Sequence, residues 1–334
     1  MSVFCGKITS QSKTERIENM KTILLDAKTL GDDIPLTAFS DMGEFVSYPK
    51  TEPDEIIERI KEADVIITNK VKLRADTLCH APNLKLICIT ATGYDNVDID
   101  YCEKNNVAVC NVKGYSTECV SQLTISMALS LTNHLRVFDD YVKSGEYSKS
   151  GIQNKLTPTF NEVYGKTWGV VGLGNIGKRV ADIAKVLGCR VLAYKRTPVE
   201  DYECVDLETL MKESDIISVH IPSSPETVGL ISREMLSLMK ERAILINVAR
   251  GNILDEGAVA DAILDGSLYG FGCDVYSTEP FPENHPYSKL SKCDNVILTP
   301  HMAWGGYETR VRLVDEVAQN IKAFYNGENR NRIV

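Results

Sequence analysis

A chain of 334 residues exceeds what one hydrophobic core usually fills, so two domains are expected. It is 43% hydrophobic and 25% charged, ordinary for a globular protein, and no apolar run nears the roughly 20 residues that span a bilayer. The formal net charge of −9 argues against nucleic acid as the main partner, because phosphate binding wants a basic face.

Residues 1–19 are polar and lack the apolar core of a secretory signal. They precede MKTILLDAKTL, which reads like a domain start, so they are either a disordered extension or lie upstream of an initiator at Met20. Candidate strands of a first domain are KTILLDA (21–27), DVIITNK (64–70), LKLICIT (84–90) and VAVCNV (107–112). A helix pattern from about Ser116 to Val142 then bridges into a second domain. Its candidate strands are KTWGVVGLG (166–174), CRVLAYKR (189–196), DIISVHIP (215–222), AILINVAR (243–250), YGFGCDVY (269–276) and NVILTPH (295–301). Short, continuous and rich in Val and Ile, these runs resemble strands buried on both faces of parallel sheets. With helices between them, the class is α/β, doubly wound. The last helix, from about Tyr307 to Asn326, is placed to return to the first domain. The resulting division is 20–115 with 303–334 for one domain and 116–302 for the other. Ten cysteines, with no CxxC pair and no His/Cys cluster at zinc spacing, indicate reduced thiols in a cytoplasm and no metal site.

Trp168-Gly169-Val170-Val171 leads into Gly172-Leu173-Gly174-Asn175-Ile176-Gly177, a GxGxxG set between a strand and a helix. Gly172 allows the tight turn, Gly174 lets a pyrophosphate approach the backbone, and Gly177 lets the helix pack close to the strand. The phosphates of a dinucleotide would meet free N–H groups at the helix N-terminus. The next strand ends Tyr194-Lys195-Arg196, without the acid that normally binds the ribose 2′-hydroxyl of NAD. Arg196 is suited to hold a 2′-phosphate through paired charge-assisted hydrogen bonds, so the reading leans to NADP over NAD. The plainer alternative makes Lys195 and Arg196 solvated loop charges.

Arg250, Glu279 and His301 lie near the carboxyl ends of successive strands, where open α/β sheets bind ligands. Hydride addition to a ketone develops alkoxide charge, and a protonated imidazole supplies the neutralising proton. A neighbouring carboxylate favours the imidazolium, and a guanidinium grips a substrate carboxylate bidentately. Each residue alone has a plainer reading: Arg250 a surface ion-pair partner, Glu279 a turn residue, His301 a satisfied core histidine.

The motifs VVGLGNIGKRVA, ILINVARGNILDEGAVADAI, FGCDVYSTEP and NVILTPHMAW, in this order, resemble the D-isomer-specific 2-hydroxyacid dehydrogenase family. The resemblance runs from about residue 21 to the C-terminus. It implies a flavodoxin-like substrate domain and a Rossmann cofactor domain, with hydride transfer between NAD(P)H and a small 2-oxo acid. By that implication Arg250 binds substrate, His301 is the acid/base and Glu279 is its partner. Asn175 and Ile176 fall at the pyrophosphate, His220, Ile221, Pro222 and Thr227 on the adenosine side, and Val248, Ala249 and Asp274 near the nicotinamide. Backbone N–H groups at Thr92 and Gly93, in the ATGYDNVD loop, would bind the substrate carboxylate. The family pattern has an acid where Lys195 stands, a departure from strict NAD use. That loop, NVKGYSTECVSQ and PHMAWGGYETRVRL look most like the glycerate dehydrogenase/hydroxypyruvate reductase branch. The resemblance also implies a homodimer, with 134–151 supplying part of the contact. Two other readings stay open: an enzyme for larger 2-oxo acids, with Trp304 either a pocket wall or a core residue, and a dinucleotide-sensing corepressor-like protein.

Overall fold

The computed structural model describes residues 20–334, and the reading of 1–19 as an extension lies outside the described residues. The chain divides into two compact units, one running to Tyr115 and resuming at Gly305–Val334, the other Ser116–Trp304.

The first unit is a parallel sheet of five strands: β1 (Lys21–Leu24), β2 (Glu44–Ser47), β3 (Val65–Thr68), β4 (Leu86–Ile89) and β5 (Ala108–Cys110). Their order is β2-β1-β3-β4-β5, the flavodoxin-like doubly wound order with its switch point between β1 and β3. β3, β4 and β5 are buried at every position, which is why they read as unbroken apolar runs. The connecting helices are α1 (Thr37–Ser40), α2 (Ile56–Ile60), α3 (Ala75–Leu78) and α4 (Ile99–Lys104). α4 begins at Asp98, whose carboxylate accepts from the Tyr101 N–H at 3.0 Å. At the switch point the buried Asp26 carboxylate accepts from the backbone N–H groups of Asn69 (2.9 Å) and Lys70 (2.7 Å). Burial pushes its pKa up, and those backbone donors oppose the rise.

The second unit begins with α5 (Thr117–Thr132), α6 (Leu135–Lys143) and α7 (Glu146–Ser150). The single bridging helix expected from Ser116 to Val142 is thus two. His134 adopts φ +49°, a left-handed conformation that stops the helical ladder, and its Nε2 meets the Tyr269 hydroxyl at 2.6 Å. Seven parallel strands follow: β6 (Thr167–Val171), β7 (Arg190–Tyr194), β8 (Glu203–Cys204), β9 (Ile216–Val219), β10 (Ile244–Asn247), β11 (Gly270–Cys273) and β12 (Val296–Leu298). The order β12-β11-β10-β9-β6-β7-β8 is a Rossmann sheet, reversing direction between β6 and β9. Its helices are α8 (Asn175–Val186), α9 (Leu207–Glu213), α10 (Arg233–Ser237) and α11 (Glu256–Leu264). Val171, Leu245, Val259 and Phe271 form the core on one face, and Trp168, Val180 and Ile246 that on the other.

The last helix, α12 (Tyr307–Asn326), belongs to the first unit and packs against β4. Beyond it, the Ile333 N–H donates to the Val109 carbonyl at 2.7 Å, covering the open edge of β5. Among the described residues no helix is long and apolar enough to cross a membrane, no acid–histidine–cysteine group is placed to hold a metal ion, and every cysteine is unpaired.

Candidate active site

The turn after β6 is built on close approach. Gly172 takes φ +100°, and a Cβ there would lie 2.5 Å from Ile221 Cγ2 and 2.8 Å from the His220 backbone. A Cβ at Gly177 would lie 1.9 Å from the Gly172 carbonyl oxygen, so the first turn of α8 rests directly on the loop. At Gly174, by contrast, a Cβ would meet nothing within 4 Å. Gly174 is the N-cap of α8 and offers no side-chain cap to the N–H groups of the first turn, at Asn175, Ile176 and Gly177. Open backbone in front of bare helical N–H groups suits a pyrophosphate.

On the other side of the switch point, His220 follows β9 and is flanked by Ile221 and Pro222. Neither His220 ring nitrogen is solvated or hydrogen-bonded, and burial holds its pKa down to about 3. Orphaned polar atoms beside a glycine turn are a second sign that this edge awaits a ligand. Thr227 stabilises the adjacent loop, its hydroxyl donating to the Pro222 carbonyl at 2.8 Å and accepting from the Ser224 N–H at 2.7 Å. At the end of β7, Lys195 is half-buried and Arg196 exposed; the Glu226 carboxyl is held below its ordinary range first by the Ser224 hydroxyl, with Arg196 adding a smaller attraction. The residues present therefore fit a dinucleotide, with no acid at the position that reads the ribose.

β10, β11 and β12 deliver the remaining side chains. After β10, the fully buried Asn247 shapes the Val248–Ala249–Arg250 turn: its Oδ1 accepts from the Ala249 N–H (3.1 Å) and its Nδ2 donates to the Arg250 carbonyl (2.9 Å). The Arg250 guanidinium donates to the Ala249 carbonyl at 2.8 Å. A Cβ at Gly251 would lie 2.0 Å from the Tyr276 carbonyl carbon, so this turn and the loop leading to Glu279 touch backbone to backbone.

Just past β11, the buried Asp274 carboxylate accepts from the Thr299 hydroxyl (2.6 Å), the Met302 N–H (2.8 Å) and the Ala303 N–H (2.9 Å). Burial raises its pKa against those donors. Asp274 thus holds the Thr299 side chain before His301 and the backbone just after it, and His301 itself sits at φ +53°. His301 Nδ1 lies 2.6 Å from Glu279 Oε2, and Glu279 Oε1 accepts from the Tyr276 N–H at 3.0 Å. His301 Nε2 has no hydrogen-bond partner among the described residues. An imidazole oriented through one nitrogen, with the other left free, is an acid/base arrangement.

In the first unit, the Thr92 hydroxyl donates to the Val112 carbonyl at 2.8 Å, while the Thr92 and Gly93 N–H groups find no acceptor among the described residues. Sequence reading missed Asn247 and the reason for Gly251; both lie inside the ILINVARGN motif, where a polar residue ending a buried strand was the available signal. Trp304 is half-buried.

Residues 125–303 match the family described as D-isomer specific 2-hydroxyacid dehydrogenase, NAD binding domain. The chain is 36% identical over 312 residues to a glycerate dehydrogenase of Methylorubrum extorquens, covering 93% of this chain and 98% of that one. It is 32% identical over 317 residues to a hydroxypyruvate reductase of Blautia hydrogenotrophica, covering 92% and 98%. A solved D-lactate dehydrogenase from Aquifex aeolicus, complexed with NAD and lactic acid, superposes with a TM-score of 0.80 at 32% identity, covering 92% and 96%.

Proposed function

Because the chain belongs to the D-isomer-specific 2-hydroxyacid dehydrogenase family, and is an oxidoreductase of that kind, we propose that it reduces hydroxypyruvate to D-glycerate and glyoxylate to glycolate. The observation that carries the reading is the Glu279–His301 contact of 2.6 Å, which leaves His301 Nε2 free at the carboxyl edge of the sheet. Relatives of similar length named glycerate dehydrogenase and hydroxypyruvate reductase support the substrate.

Gly172, Gly174, Asn175, Ile176 and Gly177 would hold the pyrophosphate of the dinucleotide, and His220 to Pro222 with Thr227 would border its adenosine. Val248, Ala249 and Asp274 would border its nicotinamide, which supplies the hydride when reduced. Arg250 would hold the substrate carboxylate and turn the carbonyl carbon toward the hydride. As the C2–H bond forms, the carbonyl oxygen gains an electron pair, and His301 Nε2 gives it a proton. Glu279 keeps Nδ1 engaged and stabilises the imidazolium before transfer. The neutral imidazole then recovers a proton from water.

NADPH is the preferred reductant in this proposal, because Lys195 and Arg196 stand where a carboxylate would repel the 2′-phosphate. A homodimer is supported by the exposed apolar side chains of Leu135, Val142, Ile152, Leu156 and Phe160, which fall within one stretch of the second unit's sequence. A reducing cytoplasm is proposed from the ten cysteines of the sequence, which include no CxxC pair. Chiral chromatography of the product from hydroxypyruvate tests the assignment: D-glycerate alone is expected, and L-glycerate or a racemate would overturn it.

A further inference from the structure

The loop carrying Glu279 is held by a second histidine–glutamate pair. Glu256 opens α11, and its side chain is 11% exposed. Its Oε1 accepts from the Ser277 N–H at 2.9 Å, and its Oε2 receives the Ser277 hydroxyl and His285 Nε2, the latter at 3.0 Å. One carboxylate therefore fastens the loop two residues before Glu279 and six residues after it.

The two pairs are wired in opposite senses. His285 is buried, and its Nδ1 accepts from the Tyr287 N–H at 3.2 Å. That bond assigns the ring proton to Nε2, so His285 donates to Glu256 and keeps no nitrogen for exchange. His301 instead turns Nδ1 to Glu279 and leaves Nε2 uncommitted. The rings of Tyr276, Phe281 and Tyr287 lie 6.2, 4.8 and 5.0 Å from the His285 ring. Burial pushes up the Tyr276 and Tyr287 phenols and the nearby Cys273 thiol, so these stay neutral near pH 7. The charged groups facing the pair are Glu256 itself, Asp255 beside it and Glu279 on the loop; those facing His301 are Glu279 and Asp274.

We propose that Glu256 is a positioning residue for the reaction: by clasping Ser277 and His285 it fixes the loop that aims Glu279 at His301. The kinetic consequence rests on the dehydrogenase reading above; the structural one does not. Glutamine at 256 would offer one carbonyl oxygen to three donors and set an N–H against at least one of them. A loosened loop displaces Glu279, and a shift of about 1 Å can cost on the order of 100-fold in rate.

The test uses the full chain labelled with 15N-histidine; its five histidines keep the spectrum assignable by subtracting His301→Ala. His301 is titrated in the wild type, Glu256→Gln, Glu279→Gln and the double variant, alongside kcat for hydroxypyruvate and NADPH affinity from fluorescence. Glu256→Gln is expected to shift the His301 midpoint in the same direction as Glu279→Gln, and to add nothing in the Glu279→Gln background. It should lower kcat roughly tenfold or more, with NADPH affinity within about twofold of the wild type. An unchanged His301 midpoint, or equal losses in both backgrounds, would overturn the proposal. A wild type without turnover would refute the substrate reading while the titration still decides the role of Glu256. Should Glu256→Gln not fold, His285→Gln, which keeps a donor to Glu256, is expected to retain the His301 midpoint that His285→Leu loses; equal midpoints in these two would overturn it.

Discussion

Replacing His220 with Phe isolates one source of acid sensitivity in the second unit. Burial lowers the His220 pKa from 6.5 to about 3, and neither ring nitrogen finds a partner. The unfolded chain regains the ordinary value, so on acidification it binds a proton that the folded chain refuses. The resulting stability is fully present above the unfolded pKa and is lost as pH falls toward the folded one. One pKa unit is worth about 1.4 kcal/mol, which makes the whole gap at most about 5 kcal/mol and the part lost by about pH 5 near 2 kcal/mol. Phe keeps a ring of similar size without a titrating group. Urea titrations near pH 7.5 and pH 5, without cofactor, can be followed through Trp168, which is fully buried in β6 and donates to Ser218 Oγ at 3.0 Å. Between those conditions the wild type should lose about 2 kcal/mol more than His220→Phe. Equal losses would refute the reasoning, because a histidine that ionises without penalty in the fold leaves no such difference.

Four other substitutions probe the site. His301→Ala should cut turnover by about two to four orders of magnitude while dinucleotide binding, measured by fluorescence, survives; a small loss would remove His301 from the acid/base role. Gly177→Ala sets a Cβ 1.9 Å from the Gly172 carbonyl oxygen, so dinucleotide affinity should fall at least about tenfold, and normal affinity would show that the turn is not the binding loop. Arg196→Ala should raise the KM for NADPH about tenfold and leave that for NADH unchanged; equal effects on both would make Arg196 a surface charge. Asp274→Asn faces an amide N–H toward the donors around His301 and should cost about 1–3 kcal/mol in urea unfolding together with lower kcat; unaltered stability would contradict the anchoring seen here.

Much of the fold was legible because parallel strands buried on both faces are dominated by Val, Ile and Leu, as β3, β4, β9 and β10 are. The strands that escaped, Glu44–Ser47 and the two-residue Glu203–Cys204, lie at sheet edges, where exposed polar positions dilute the apolar pattern. The break at His134 escaped for another reason: Asn133-His134 carries neither Pro nor Gly, and the left-handed turn is stabilised by Tyr269, 135 residues away. Residue types at the site were visible at strand ends, but their wiring was not. That Asp274 fastens the backbone just after His301, or that Glu256 fastens both sides of Glu279, depends on contacts across more than 20 residues that no local spacing encodes.

The most direct measurement is the initial rate of NADPH and NADH oxidation with hydroxypyruvate, glyoxylate, pyruvate and 2-oxoisocaproate on one preparation. Fast turnover of hydroxypyruvate or glyoxylate, faster with NADPH, is the expected result. A preference for 2-oxoisocaproate, or no turnover with any pair, would contradict it.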